Sequence, residues 1–221
     1  MIKKEYVTHK REPFFQIALD YIKDDSKVLD IGAGNGDFSK YCDRDDFYLY
    51  DGNIKTVEYL KKYHKNVFHG MLPVLPFENE FFDVIHCSHV VEHLQPQDMY
   101  DFLVNVDKVL KTGGYLVIST PLLWSGFYND LSHVKPYRPF VFEKYLCGIH
   151  LESLTRSPVS INYKKERLEF RYLNTSKELE FYSFDKNIFV RVFLSCFYRL
   201  KKRGLGIYSK TGYTIVLKKN G

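Results

Sequence analysis

Val28-Leu29-Asp30-Ile31-Gly32-Ala33-Gly34-Asn35-Gly36 is a short apolar run that ends in three glycines at alternate positions. An apolar run of this length bounded by turn residues reads as a buried strand. Glycine tolerates positive φ and has no Cβ to hold a ligand off, so the turn leaves backbone bare where a ligand must come close. A helix entered from such a turn offers unpaired N–H groups to polar or anionic atoms. A nucleotide-like ligand is therefore the first expectation. Its weight comes from Asp51, nineteen residues after Gly32, which closes the next strand-like run, Phe47-Tyr48-Leu49-Tyr50. A carboxylate there can hold both hydroxyls of a ribose.

Two kinds of α/β protein share that pairing, and one further position separates them. A dinucleotide turn reads G-x-G-x-x-G, with a last glycine that lets the helix pack close to a pyrophosphate. Here that position holds Asp37. A carboxylate would repel a pyrophosphate, whereas S-adenosylmethionine carries no phosphate and presents an ammonium and a sulfonium. S-adenosylmethionine is the expected cofactor.

Further along, Gly70-Met71-Leu72-Pro73-Val74-Leu75-Pro76-Phe77 precedes the apolar run Phe82-Asp83-Val84-Ile85-His86-Cys87-Ser88, then Val91-Glu92-His93-Leu94, then Lys111-Thr112-Gly113-Gly114-Tyr115-Leu116-Val117-Ile118-Ser119. Together with the glycine turn and Asp51, this succession resembles class I S-adenosylmethionine-dependent methyltransferases, in their small-molecule and glycan branch. The resemblance implies an α/β fold: a doubly wound, mostly parallel seven-stranded Rossmann-like sheet with an insertion before the last strand. It implies cofactor contacts from Asp30, Gly32, Gly34, Gly36, Asp51, Gly52, Met71, Leu72 and Ser88. The family usually has an aspartate after Gly70 to accept from the adenine amino group. Met71 stands there instead, so adenine is expected to meet backbone groups of Met71 and Leu72.

The chain of 221 residues fits one domain. Residues 1–25 read as a leading helix or lid, 26–120 as the cofactor-binding core, and 121–221 as a substrate-selecting part with an insertion at about 160–205. Met1-Ile2-Lys3-Lys4-Glu5 lacks the apolar run of a signal peptide, and no stretch reaches the roughly 18 to 20 apolar residues of a membrane span. A cytoplasmic protein, peripheral at a membrane at most, is expected. Cys42, Cys87, Cys147 and Cys196 lie far apart with no C-x-x-C pair, which points to reduced thiols.

Strand-like and helix-like stretches alternate, as in a parallel sheet with crossover helices. Apolar runs open at Lys27 to Ile31, Phe47 to Tyr50, Val67 to Phe68, Phe82 to Cys87 and Tyr115 to Ser119. Met99, Phe102, Leu103, Val106, Val109 and Leu110 recur at helical spacing, with Pro96 in the first turn and Gly113 as the stop. Pro13 to Ile22 reads as an amphipathic helix with Phe14, Ile17, Ala18 and Tyr21 on one face. In the resembled family such a helix covers the cofactor.

Leu122 to Tyr137 has no period but holds Trp124, Tyr128, Asp130, His133 and Tyr137, and it leaves the end of the fifth strand where ligands of open α/β sheets bind. Asn129 to Tyr137 resembles the segment after that strand in many small-molecule and glycan methyltransferases. His133 is the candidate general base for an acceptor hydroxyl, against the alternative of a loop-fixing residue. A packing or capping role is expected for His93. His89 is read either as lining the methionine end of the cofactor beside Ser88 or as an ordinary loop histidine. His86, His89 and His93 need not converge, and no metal is expected.

The net charge of +5 hides an uneven distribution. Thr155 to Gly221 holds 15 Lys and Arg against 5 Asp and Glu, a balance of +10, while residues 1–154 hold 17 against 22, a balance of −5. Ile188, Phe189, Val192, Phe193, Cys196, Phe197 and Leu200 form a broad helical stripe within Asp185 to Arg203, ending in Lys201-Lys202-Arg203. Such a helix packs on the sheet or rests on an anionic membrane surface. The expected partner is a small-molecule or glycan acceptor, lipid-linked or phosphorylated, methylated on oxygen or nitrogen. An RNA methyltransferase and a non-catalytic cofactor-binding partner are the rival readings. Nucleic acid is less favoured, because no RNA-recognition signature is present. Oligomeric state is left open.

Overall fold

The computed structural model describes residues 2–153, 155–174, 188, 189, 192, 196 and 208–221. Strand β1 (Val28–Ile31) forms where the opening apolar run stands and is buried along its length, as a strand covered on both faces must be. Strands β2 (Tyr48–Asp51) and β4 (Phe82–Ser88) flank it in parallel. β3 (Val67–His69) pairs with β2 and β5 (Leu110–Pro121) with β4, again parallel. β7 (Tyr208–Lys219) runs antiparallel to β5, and β6 (Tyr163–Asn174) closes the edge antiparallel to β7. The order is β3-β2-β1-β4-β5-β7-β6, the doubly wound, mostly parallel sheet expected. The direction of winding reverses between β1 and β4, which opens a crevice above their carboxyl ends.

Because side chains alternate along a strand, β1 feeds two cores. Leu29 and Ile31 join Ile85, Cys87 and Ile118 under α4 (Pro96–Val109), which contributes Met99, Phe102, Leu103 and Val106. Val28, with Leu49, Val84 and Val216, faces α1 (Glu12–Leu19) and α2 (Asp37–Tyr41). Helices α3 (Ile54–Leu60) and α5 (Pro139–Leu146) complete the cover.

Three expectations change. Helix α4 begins at Pro96 as expected but stops at Val109, not at Gly113. Leu110 turns extended and pairs with Phe82, so the sheet captures the chain three residues before the glycine. The stretch expected to open the insertion, Tyr163–Asn174, is strand β6. Its pattern was concealed by Lys164, Lys165, Glu166 and Arg167, charges that an edge strand with a solvent face carries readily. Third, α1 covers residues 12–19 and packs Phe15 against Phe38 of α2 and against His86, as part of the core. The expected helix from Asp185 to Arg203 lies outside the described residues except at Ile188, Phe189, Val192 and Cys196, which are helical. Among the described residues no helix is long and apolar enough to cross a membrane, and all four cysteines are free thiols.

One polar pair lies inside the α1–α2 core. Asp30 and His86 stand on adjacent strands in register, 3% and 1% exposed, with His86 Nδ1 2.7 Å from Asp30 Oδ1. The imidazole stacks near Phe38 at 3.9 Å between centroids, and its Nε2 has no partner. The pair ties β1 to β4 from the side facing away from the crevice. Asp30→Ala would leave both imidazole nitrogens unpaired in an aromatic core. We expect it to cost about 3 kcal/mol in urea unfolding, and a loss below about 1 kcal/mol would show that the pair does not hold the strands.

Candidate active site

The turn after β1 is built by backbone bonds to the end of β2. Gly32 N and Ala33 N both donate to Tyr50 O, at 2.8 and 3.3 Å. Gly34 N donates to Asp51 Oδ2 at 3.0 Å, while Asn53 N donates to Asp51 Oδ1 at 2.8 Å. Gly32 has φ +71, and a Cβ there would collide with the Val90 side chain, so only glycine lets the turn lie under the loop after β4. Gly34, at φ +52, meets nothing closer than 4.0 Å on its Cβ side and presents bare backbone. Each Asp51 oxygen keeps a lone pair beyond these bonds.

The loop after β3 closes the other wall. Gly70 N donates to Asp51 O at 3.2 Å, and Tyr50 Oη donates to Val74 O at 2.7 Å. Asn105 of α4 holds Pro73 O at 3.0 Å. Met71 is 68% exposed and lies over Gly52, where a Cβ would stand 2.7 Å from its Sδ. Between these walls is a cavity of about 210 Å³ lined by Gly32, Asp51, Gly52, Met71, Leu72 and His93, among others.

Past β4 the chain makes a single 3-10 turn, Val91–His93, and Glu92 in it is fully buried. Its Oε2 accepts from Thr120 Oγ1 at 3.1 Å, and its Oε1 lies 3.2 Å from His89 Nδ1, a contact too bent to satisfy that oxygen. Burial alone would raise the Glu92 pKa, but the contact with His89, with a smaller influence of the neighbouring His93, outweighs it and holds the carboxyl below its ordinary value. Arg171, reaching in from β6, donates from Nη1 to His89 Nε2 at 3.1 Å. Burial, with the charges of Arg171 and Arg11, lowers the His89 pKa, so His89 is neutral between a cation and an anion. Burial and the charge of Arg11 push Arg171 itself down to about 10.

The segment after β5 is lashed to the same turn. Val134 N and Lys135 N both donate to Glu92 O, at 2.8 and 3.1 Å. Tyr137 Oη donates to Leu94 O at 2.9 Å, and Tyr213 Oη of β7 donates to Tyr137 O at 2.6 Å. His133 Nδ1 is 2.6 Å from Phe127 O, and His93 Nδ1 is 3.0 Å from Ser132 O. Since a carbonyl only accepts, both Nδ1 atoms carry a proton in these bonds. The two rings lie 5.0 Å apart.

Of the nine expected cofactor residues, Gly32, Asp51, Gly52, Met71 and Leu72 line the cavity. Gly34 and Gly36 shape its turn, and Ser88 ends β4 opposite Ser119. Asp30 is placed differently: its carboxylate is committed to His86 on the far face of the sheet. His86, His89 and His93 do not converge, and His93 meets His133 instead. Glu92 and Arg171 escaped the sequence reading as site residues. Arg171 had no local signal, because only the pairing of β6 with β7 brings it near β4.

A family model described as "Methyltransferase domain" matches residues 4–160. The sarcosine/dimethylglycine N-methyltransferase of Aphanothece halophytica is 29% identical over 140 residues, 58% of this chain and 46% of that protein. The chain thus spans about half the length of this curated relative. A S-adenosylmethionine-dependent methyltransferase from Archaeoglobus fulgidus superposes with a TM-score of 0.63 at 23% identity, covering 94% of this chain and 92% of that one. The [4+2]-cyclase SpnF shares the fold at 14% identity and a TM-score of 0.55, over 95% of this chain and 81% of its own. The fold by itself therefore does not name a reaction, but with the matched family model, the glycine turn and the strand-end aspartate the chain belongs to the methyltransferase domain family, among the class I S-adenosylmethionine-dependent enzymes.

Proposed function

We propose that the protein moves a methyl group from S-adenosylmethionine to an oxygen or nitrogen of a small-molecule or glycan acceptor. The observation that carries this is a single cavity walled by a bare glycine turn, the fixed carboxylate of Asp51 and the apolar pair Met71 and Leu72, with His93 on its rim. These residues fit the cofactor: spare lone pairs of Asp51 for ribose hydroxyls, bare backbone at Gly34 for the methionine end, and Met71 and Leu72 against adenine. When bound, S-adenosylmethionine supplies a methyl group on a sulfonium, which a nucleophile displaces in line. The protein's part is then to align the acceptor and exclude water.

For an oxygen acceptor a proton must also leave. His133 stands on the loop that Glu92 anchors, with Nδ1 turned to Phe127, which leaves Nε2 as the nitrogen to meet the acceptor proton. Nitrogen acceptors are kept in the reading by the relative named for sarcosine and dimethylglycine. The +10 balance of the last 67 residues supports an acceptor carrying phosphate or lipid, and a peripheral site on an anionic membrane.

Calorimetry with S-adenosylmethionine tests the cofactor assignment. Asp51→Ala should weaken binding by about tenfold or more, the cost of two charge-assisted hydrogen bonds, and equal affinity would rule out Asp51 as the ribose ligand. His133→Ala should reduce turnover by about 10²-fold or more with cofactor affinity unchanged; unaltered turnover would leave the residue a loop anchor. Liposomes with anionic headgroups should sediment the protein at low salt and release it at about 1 M, where the screening length falls to about 3 Å. Indifference to liposomes at every salt concentration would point to a soluble acceptor.

A further inference from the structure

Glu92, His93 and His133 come from two segments, the turn after β4 and the loop after β5, and meet beside the candidate cofactor cavity, which His93 lines. One ligating atom from each lies within 4.8 Å of the other two. Their chemistry is that of a two-histidine, one-carboxylate metal site with open positions. Two independent features of the structure point the same way. Both imidazoles spend Nδ1 on a backbone carbonyl, Phe127 O for His133 and Ser132 O for His93, which is how metal-ligating histidines are oriented with Nε2 forward. And Glu92, fully buried, keeps an Oε1 that no hydrogen bond satisfies. A buried carboxylate oxygen in that state calls for a cation.

We propose that Glu92, His93 and His133 bind a first-row divalent cation of the zinc type, leaving at least one position open toward the acceptor. A tetrahedral cation about 2.1 Å from each ligand wants them about 3.4 Å apart, so the groups must draw in by up to about 1.4 Å. The inference rests on the methyl-transfer reading for its role. An acceptor hydroxyl on the open position would lose its proton to solvent water more readily, as metal-bound oxygen acids do. His133 would then serve as a ligand, and its loss would slow the reaction through the cation.

The test needs no turnover. Cobalt(II) is titrated into the purified full-length protein without S-adenosylmethionine and followed by visible absorption, with zinc as competitor. One cobalt per chain, displaced by zinc, is expected. His133→Ala and His93→Ala should each weaken it by at least about tenfold while circular dichroism stays unchanged. Glu92→Gln should do the same but also removes the Thr120 and His89 contacts, so the histidine variants decide. Absence of a visible band up to about millimolar cobalt, or affinity unchanged in both histidine variants, overturns the proposal. A sulfur-to-cobalt charge-transfer band would do so too, by assigning the ion to a cysteine. S-adenosylmethionine calorimetry on the same samples separates the two readings. Cofactor binding without cobalt binding sinks only the cation, and cobalt binding without cofactor binding sinks only the methyltransferase.

Discussion

The bonds from the glycine turn to the end of β2 are the constraint on which the site depends. Tyr50 O receives Gly32 N and Ala33 N, and Asp51 receives Gly34 N, so two parallel strands finish at one fixed point. A parallel pair has no hairpin to set its register, and the bonds beyond the strand ends do that work here. The same bonds turn bare backbone and one carboxylate toward the crevice. The open backbone of the site and the sheet register are thus one feature, and a side chain at Gly32 would disturb both through Val90.

Glu92 plays the corresponding part on the acceptor side. Its carbonyl takes two N–H groups from the loop after β5, and its carboxylate reaches Thr120 and His89. Burying a carboxylate this completely is costly unless it is compensated. Thr120 satisfies one carboxylate oxygen, and the other lies 3.2 Å from His89, which in turn accepts from Arg171 on the far edge strand. The edge strand β6, which reads in sequence as a charged insertion, therefore contributes to the electrostatics of the site centre. Tyr213 and Tyr137 add a second tie from β7 through the loop to Leu94. Three strands and one loop converge on a turn of three residues.

Placed opposite one another, these two anchors define what the crevice can do. One side offers the Asp51 carboxylate and open backbone, and the other a carboxylate with two imidazoles held by their Nδ1 atoms. Asp30 and His86 lie behind the sheet and serve neither side. Their contribution is to hold β1 against β4, so that the two anchors keep their separation.

The cofactor half was legible in the sequence because its determinants are local. Glycines that need positive φ, a strand end and an acid nineteen residues on are set by short-range backbone chemistry, and Asp37 in place of a third glycine turned the reading from a dinucleotide to S-adenosylmethionine. The alternation of strands and helices as far as β5, and helix α4, followed from apolar patterning, while the doubly wound order was what the family resemblance implied. Asp30 could not be assigned, since its place in a glycine motif says nothing of which face its side chain takes until β4 sets His86 beside it. The acceptor half was decided by tertiary structure alone. Glu92 meets His133 across forty-one positions, and Arg171 meets His89 across 82, through side-chain and backbone hydrogen bonds that no local period encodes. The first is fixed when the loop after β5 bonds to the Glu92 carbonyl, and the second only when β6 pairs with β7 and β7 with β5, where hydrogen bonding to His89 offsets the cost of burying the Arg171 charge.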